Sequence, residues 1–91
     1  MGSAKKDFVL KDEKNIPKMV AAVRKMCKDN DIDFDGDEKS GTASRAGAEI
    51  TYKVNGKNVH VEVEDSWRSR RFGWDADKIM AKVAEGIVPY T

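Results

Sequence analysis

Apolar residues recur along this chain at two different spacings, and the switch between them divides it into elements. Ile16, Met19, Val20, Val23, Met26 and Cys27 fall at the i, i+3, i+4, i+7, i+10 and i+11 positions of one helical stripe. Lys18, Arg24, Lys25 and Lys28 lie outside it. The stripe predicts a helix capped by Asn15, with Pro17 at its second position, where the missing amide hydrogen costs nothing. Ala76, Ile79, Met80, Val83 and Ile87 predict another helix, capped by Asp75, with Asp77 at the positive end of the dipole. Gly86 reads as its C-terminal cap, and Pro89 stops its continuation. That leaves Ile87 to Thr91 for a short edge strand, where Pro89 is tolerated.

Between the helices the spacing falls to two. Ala48, Ile50, Tyr52 and Val54 alternate with Glu49, Thr51 and Lys53, and Val59, Val61 and Val63 alternate with His60, Glu62 and Glu64. This is a hairpin around Asn55-Gly56-Lys57-Asn58. A two-residue Asn-Gly turn sets Tyr52 opposite Val59, a four-residue loop sets Val54 opposite Val59, and both keep the apolar faces together. A three-residue loop throws one apolar set onto the solvent side and is excluded. Near the start, Asp7 to Lys11 reads as a strand with Phe8 and Leu10 on one face and Val9 on the other. The predicted class is therefore α+β, an antiparallel sheet of three strands, or four with the C-terminal one, and two helices packed on one face. Its order, β-α-β-β-α(-β), allows a ferredoxin-like split βαβ arrangement.

At 91 residues the chain holds one domain and one modest core, assigned to 4–91. Met1, Gly2 and Ser3 read as a cloning remnant. Charge is abundant but balanced, 17 basic against 16 acidic residues, so affinity for a polyanion or a membrane must come from local clustering. Neither a membrane-spanning run nor a signal-peptide pattern is present, and the single Cys27 fits a reducing, cytoplasmic setting. Met19, Met26 and Cys27 read as core filler, since the stripe explains them.

Residues 29–47 read as a long, acidic loop. Asp31-Ile32-Asp33-Phe34-Asp35-Gly36 resembles the first half of an EF-hand calcium loop over six residues. The later positions depart from it: Glu38 stands where an apolar residue belongs and Thr42 where the bidentate glutamate belongs. Asp31, Asp33, Asp35 and Asp37 are accordingly kept only as ligands for weak divalent-cation binding, against the simpler reading of an acidic loop that ends a helix.

Chemistry has little else to stand on. The outer face of the hairpin offers His60 and carboxylates instead of the exposed aromatics that an RNA-recognition sheet uses to stack bases. One histidine beside Glu62 and Glu64 is a thin basis for a metal or a general base. No metal-ligand cluster, glycine-rich phosphate loop or nucleophile signature is present, so a non-enzymatic role without a cofactor is expected.

The remaining unusual stretch is Trp67 to Trp74, Trp-Arg-Ser-Arg-Arg-Phe-Gly-Trp, which holds both tryptophans. Three readings fit it. Trp67, Arg68, Arg70, Arg71, Phe72 and Trp74 can anchor a protein partner, a role for which both residue types are enriched. They can hold nucleic-acid phosphates and stacked bases, although near-zero net charge and the acidic loop oppose a polyanion. Or they are structural, the arginines paired with Asp31, Asp33, Asp35 and Asp37 and the rings closing the core. As a function, protein contact is preferred over nucleic acid. The simple stripes and short hairpin also fit an idealised, engineered chain with no specific activity.

Overall fold

A computed structural model of the chain describes residues 2–45 and 47–91. Met1 and the Arg70 side chain, both part of the expectations above, lie outside the described residues. Five strands form one antiparallel sheet: β1 Ser3–Val9, β2 Asp33–Gly36, β3 Ser40–Arg45, β4 Ala48–Asn55 and β5 Asn58–Glu64. Their order across the sheet is β1-β5-β4-β3-β2. Helix α1 spans Ile16–Asp29, the short helix α2 spans Trp67–Arg71, and α3 spans Ala76–Ile87. Helices α1 and α3 bury their apolar stripes with the sheet in one core, α1 toward β2 and α3 toward β1. None of the described helices is long and apolar enough to cross a membrane.

This corrects the predicted architecture of three or four strands. A split βαβ unit places one strand between the two that its helix joins. Here α1 joins β1 to β2, the two opposite edges, with the whole of the rest of the sheet between them, so the ferredoxin-like arrangement does not apply. The C-terminal strand is also absent: Val88–Tyr90 form a 3-10 turn, whose Tyr90 carbonyl accepts the Lys11 amide at 3.0 Å.

The two extra strands lie within residues 29–47, expected to be loop, and their side chains explain the difference. The positions of β2 and β3 that share the core-facing side are Phe34, Gly36, Gly41 and Ala43, too small as a set to produce an apolar alternation. Tyr52 on β4 supplies the missing bulk. It pairs with Gly41, where an added Cβ would stand 2.4 Å from its ring, and it stacks on Phe34 with centroids 6.0 Å apart. Its hydroxyl donates to the Asp37 carbonyl, so one aromatic covers the glycines of β3 and of the more distant β2.

The β4–β5 register sets Val54 opposite Val59 and Tyr52 opposite Val61, the second of the two alternatives. The strands close on an Asn55–Asn58 pair, leaving Gly56 and Lys57 as the turn. Gly56 has φ +61, which a II′ turn demands of its first central residue. Val59, Val61 and Val63 are 0% exposed because β5 lies between β1 and β4 under the helices. Gly2 and Ser3 take part in the fold: Ser3 pairs with Glu64, and the Gly2 carbonyl accepts the Asp65 amide.

Both helix starts follow local chemistry, one of them differently from expectation. Asn15 makes no side-chain cap, because a 3-10 turn, Glu13–Asn15, runs ahead of α1 and Asp12 caps that turn by accepting from the Lys14 amide. Asp75 caps α3, accepting from the Lys78 amide at 2.8 Å. Gly86 lies inside α3, facing Val23 and Met26 of α1 at ordinary packing distance.

Candidate functional site

The expected calcium half-motif is divided among three structural tasks. Asp31 is the left-handed residue that ends α1, with φ 56, and Ile32 donates back to the Cys27 carbonyl at 2.7 Å. Asp33 and Asp35 alternate with Phe34 along β2. Asp37 shapes the β2–β3 turn by accepting from the Lys39 and Ser40 amides, and those bonds, Ser40's foremost, hold its carboxyl below the usual range. Among the described residues no group of three or more His, Cys, Asp or Glu side chains is placed to hold a metal ion.

The sheet face away from the helices is polar, and a cluster of hydrogen-bonded side chains surrounds His60. The Nδ1 of His60 meets Asp7 across the β1–β5 pair, and its Nε2 meets Glu62 at 3.1 Å. Lys5 approaches the same Glu62 carboxylate at 3.7 Å. With a carboxylate at each ring nitrogen the imidazolium is favoured, so hydrogen bonds from Glu62 first and Asp7 next raise the His60 pKa above its ordinary 6.5. The Glu62 pKa is lowered, chiefly by His60. The ion pair therefore exists between the depressed Glu62 pKa and the elevated His60 pKa. The contribution of His60 to stability is complete below 6.5 and fades as pH rises through its folded value. An NMR titration should place His60 above 6.5, and Glu62→Gln or Asp7→Asn should lower it. An unshifted midpoint in the parent chain would dismiss the arrangement.

The Trp67 to Trp74 stretch folds as α2 and a turn. Ser66 and Ser69 make a reciprocal cap: the Ser66 amide donates to Ser69 Oγ at 3.0 Å, and the Ser69 amide reaches Ser66 Oγ at 3.5 Å. Ser69 is fully buried, which turns Trp67, Arg68 and Arg71 of this short helix outward. Trp67 and Phe72 are 67% and 70% exposed, and Arg68 and Arg71 are exposed beside them. Gly73, at φ +84, reverses the chain, and the Trp74 amide bonds the Ser69 carbonyl at 2.8 Å. Trp74 thus points the other way and packs against the core. The stretch separates into an outer group, Trp67, Arg68, Arg71 and Phe72, and an inner Trp74.

Two neighbours hold this unit in place. The β3–β4 turn lies against it so closely that a Cβ on Gly47 would meet Ser66 Oγ at 2.4 Å. Buried Asp65 accepts from the Gly2 amide at 2.7 Å and the Ala76 amide at 2.8 Å, joining the start of β1 to the start of α3.

Among the described residues no ion pair joins Arg68 or Arg71 to Asp31, Asp33, Asp35 or Asp37. Two other arginines border that acidic segment. Arg24 donates to the Gly36 carbonyl and lies over Phe34, while Arg45 donates to the Asn30 carbonyl and lies 5.8 Å from the Trp74 ring centre. Arg45 carries no sequence signal for this contact, since it lies on β3, 15 residues beyond the Asn30 carbonyl that it reaches. Compared with known proteins, the chain matches no family model and no curated protein.

Proposed function

We propose that this chain is a small non-enzymatic module that binds a protein partner through the outer surface of α2. The supporting observation is the exposure of Trp67 and Phe72, 67% and 70%, beside Arg68 and Arg71. Rings of this size bury about 150–250 Å² when covered. Covering the exposed two thirds of each gains roughly 2.5 kcal/mol or more at about 25 cal/mol per Å². Arginine at the border adds planar donors suited to carboxylates or carbonyls of a partner. The buried Cys27 thiol, its pKa raised by burial, supports a reducing, cytoplasmic setting, where an inert thiol persists.

Trp67→Ala and Phe72→Ala should each weaken partner binding by about 2 kcal/mol or more. Exposed as they are, their effect on stability should stay within about 0.5 kcal/mol. A photo-crosslinking residue at position 72 should trap a discrete partner in cell extract, while the same residue at position 53, on the outer sheet face, should not. Equal trapping at both positions, or trapping that survives Trp67→Ala, would reject the reading. Nucleic acid is the second reading, since exposed rings beside arginines also suit stacked bases and phosphates. Its signature is oligonucleotide affinity that falls with salt at a log-log slope of about −1.4 to −1.8 for contacts by Arg68 and Arg71. Salt-independent or absent affinity removes it.

A further inference from the structure

A sheet of five strands at about 4.8 Å spacing is roughly 20 Å wide, and two helices about 8–10 Å apart cover it with a seam between them. Under the seam the sheet is shallow, because buried Ala43 of β3 and Ala48 of β4 are small. A cavity of about 50 Å³ results between α1, α3 and the sheet, open to solvent on the side of the exposed Arg45 and Lys82. One water needs about 10–15 Å³ of such space, and an apolar cavity offers it too few hydrogen-bond partners to stay. Met19 and Met26 form part of the wall, and their unbranched side chains can shift to enlarge it.

The charged part of the lining consists of Arg45 and Lys82 among the described residues, both cations, with no carboxylate. Lys82 does reach Glu85 at 3.6 Å, but that pair is exposed and one turn apart on α3, so solvent screens it. Arg45 uses one donor on the Asn30 carbonyl and has no carboxylate partner among the described residues. An uncharged apolar ligand would leave these cations unused, and a cationic one would be repelled.

We propose that this cavity binds a small amphiphile, its apolar body beneath the helices and its carboxylate head held by Arg45 and Lys82. Trp74 lines the cavity and reports on it directly. In a Trp67→Phe background it is the only tryptophan, so its emission can be titrated with hexanoate, hexanol and hexylamine. Hexanoate should give a saturable change, hexanol should bind about twofold to fivefold more weakly, because Arg45 and Lys82 are exposed and solvent screens their charge, and hexylamine more weakly still. Ala48→Leu, which fills the cavity, should abolish the response while circular dichroism shows an intact fold. If Ala48→Leu unfolds, Arg45→Gln with Lys82→Gln decides: hexanoate should weaken by about twofold to fivefold, with hexanol unchanged. No saturable response, equal affinity for the three probes, or hexanoate binding indifferent to the two charge substitutions would overturn the proposal.

Discussion

Tyr52→Ala should destabilise the protein by about 3–5 kcal/mol in equilibrium denaturation, the range for a large ring removed from a core. The ring is 8% exposed, but its contacts matter more than its area. It lies on Gly41, close to Gly36, and beside Phe34, so its removal uncovers backbone on two strands at once. Besides Phe34, the only other apolar core-side residue with a side chain on those strands is the small Ala43, and their remaining ties to α1 are polar, through Arg24 and Arg45. Domains of this kind are stable by only about 5–15 kcal/mol, so the loss is a large fraction of the whole. Tyr52→Phe keeps the ring and deletes the hydroxyl bond to Asp37, which should cost about 1 kcal/mol. The difference between the two variants separates covering from hydrogen bonding. A Tyr52→Ala cost below that of Tyr52→Phe would show that the ring does not organise β2 and β3.

Asp65→Ala should cost about 3 kcal/mol or more, although the substitution removes little apolar surface. The carboxylate is 4% exposed and accepts two amides, one from Gly2 and one from Ala76. Hydrogen bonds to a charged group contribute about 1.5–3 kcal/mol each, and donors left buried without a partner add a penalty. Asp75→Ala is the fitting comparison, because it also removes an amide acceptor from the start of α3. That residue is less buried and makes a conventional cap, so its loss should cost about 1 kcal/mol. Asp65→Asn should fall between the two, keeping the shape and losing the charge. Chemical denaturation of the three variants checks the ranking, and an Asp65→Ala cost equal to that of Asp75→Ala would contradict it.

Where the fold was legible in the sequence, side chains repeat with the period of their element. The stripes of α1 and α3 and the alternation of β4 and β5 are of that kind, as is Phe8 and Leu10 against Val9, which is 62% exposed. Strands β2 and β3 were not legible, because their bulk comes from Tyr52, on a different strand. Gly86 misled because a glycine inside a helix has the same appearance in a sequence as one that ends it. The Trp67 to Trp74 stretch could be located by composition, but not divided. The turn at Gly73 sends Trp74 inward and leaves Trp67 and Phe72 outside, and only the fold around it decides that. The carboxylate bracket around His60 needed the β1–β5 register, since Asp7 is remote from it in sequence.

The position of β1 at the edge of the sheet, beside β5, also bears on how the chain assembles. From β2 to β5 each strand pairs with the one that follows it, and Asn55 meets Asn58 across a two-residue turn. The bond between Gly2 and Asp65 instead brings together residues 63 apart. Loop-closure entropy rises by only about 0.6 kcal/mol for each doubling of length, so the longer closure carries roughly 2–3 kcal/mol more. On loop entropy alone, the meander from β2 to β5 is expected to form before β1 arrives, an order that φ-values at Phe8 and Val61 would check. Asp65 then acts as a latch: it fastens the first strand and the last helix together once the middle of the chain has formed.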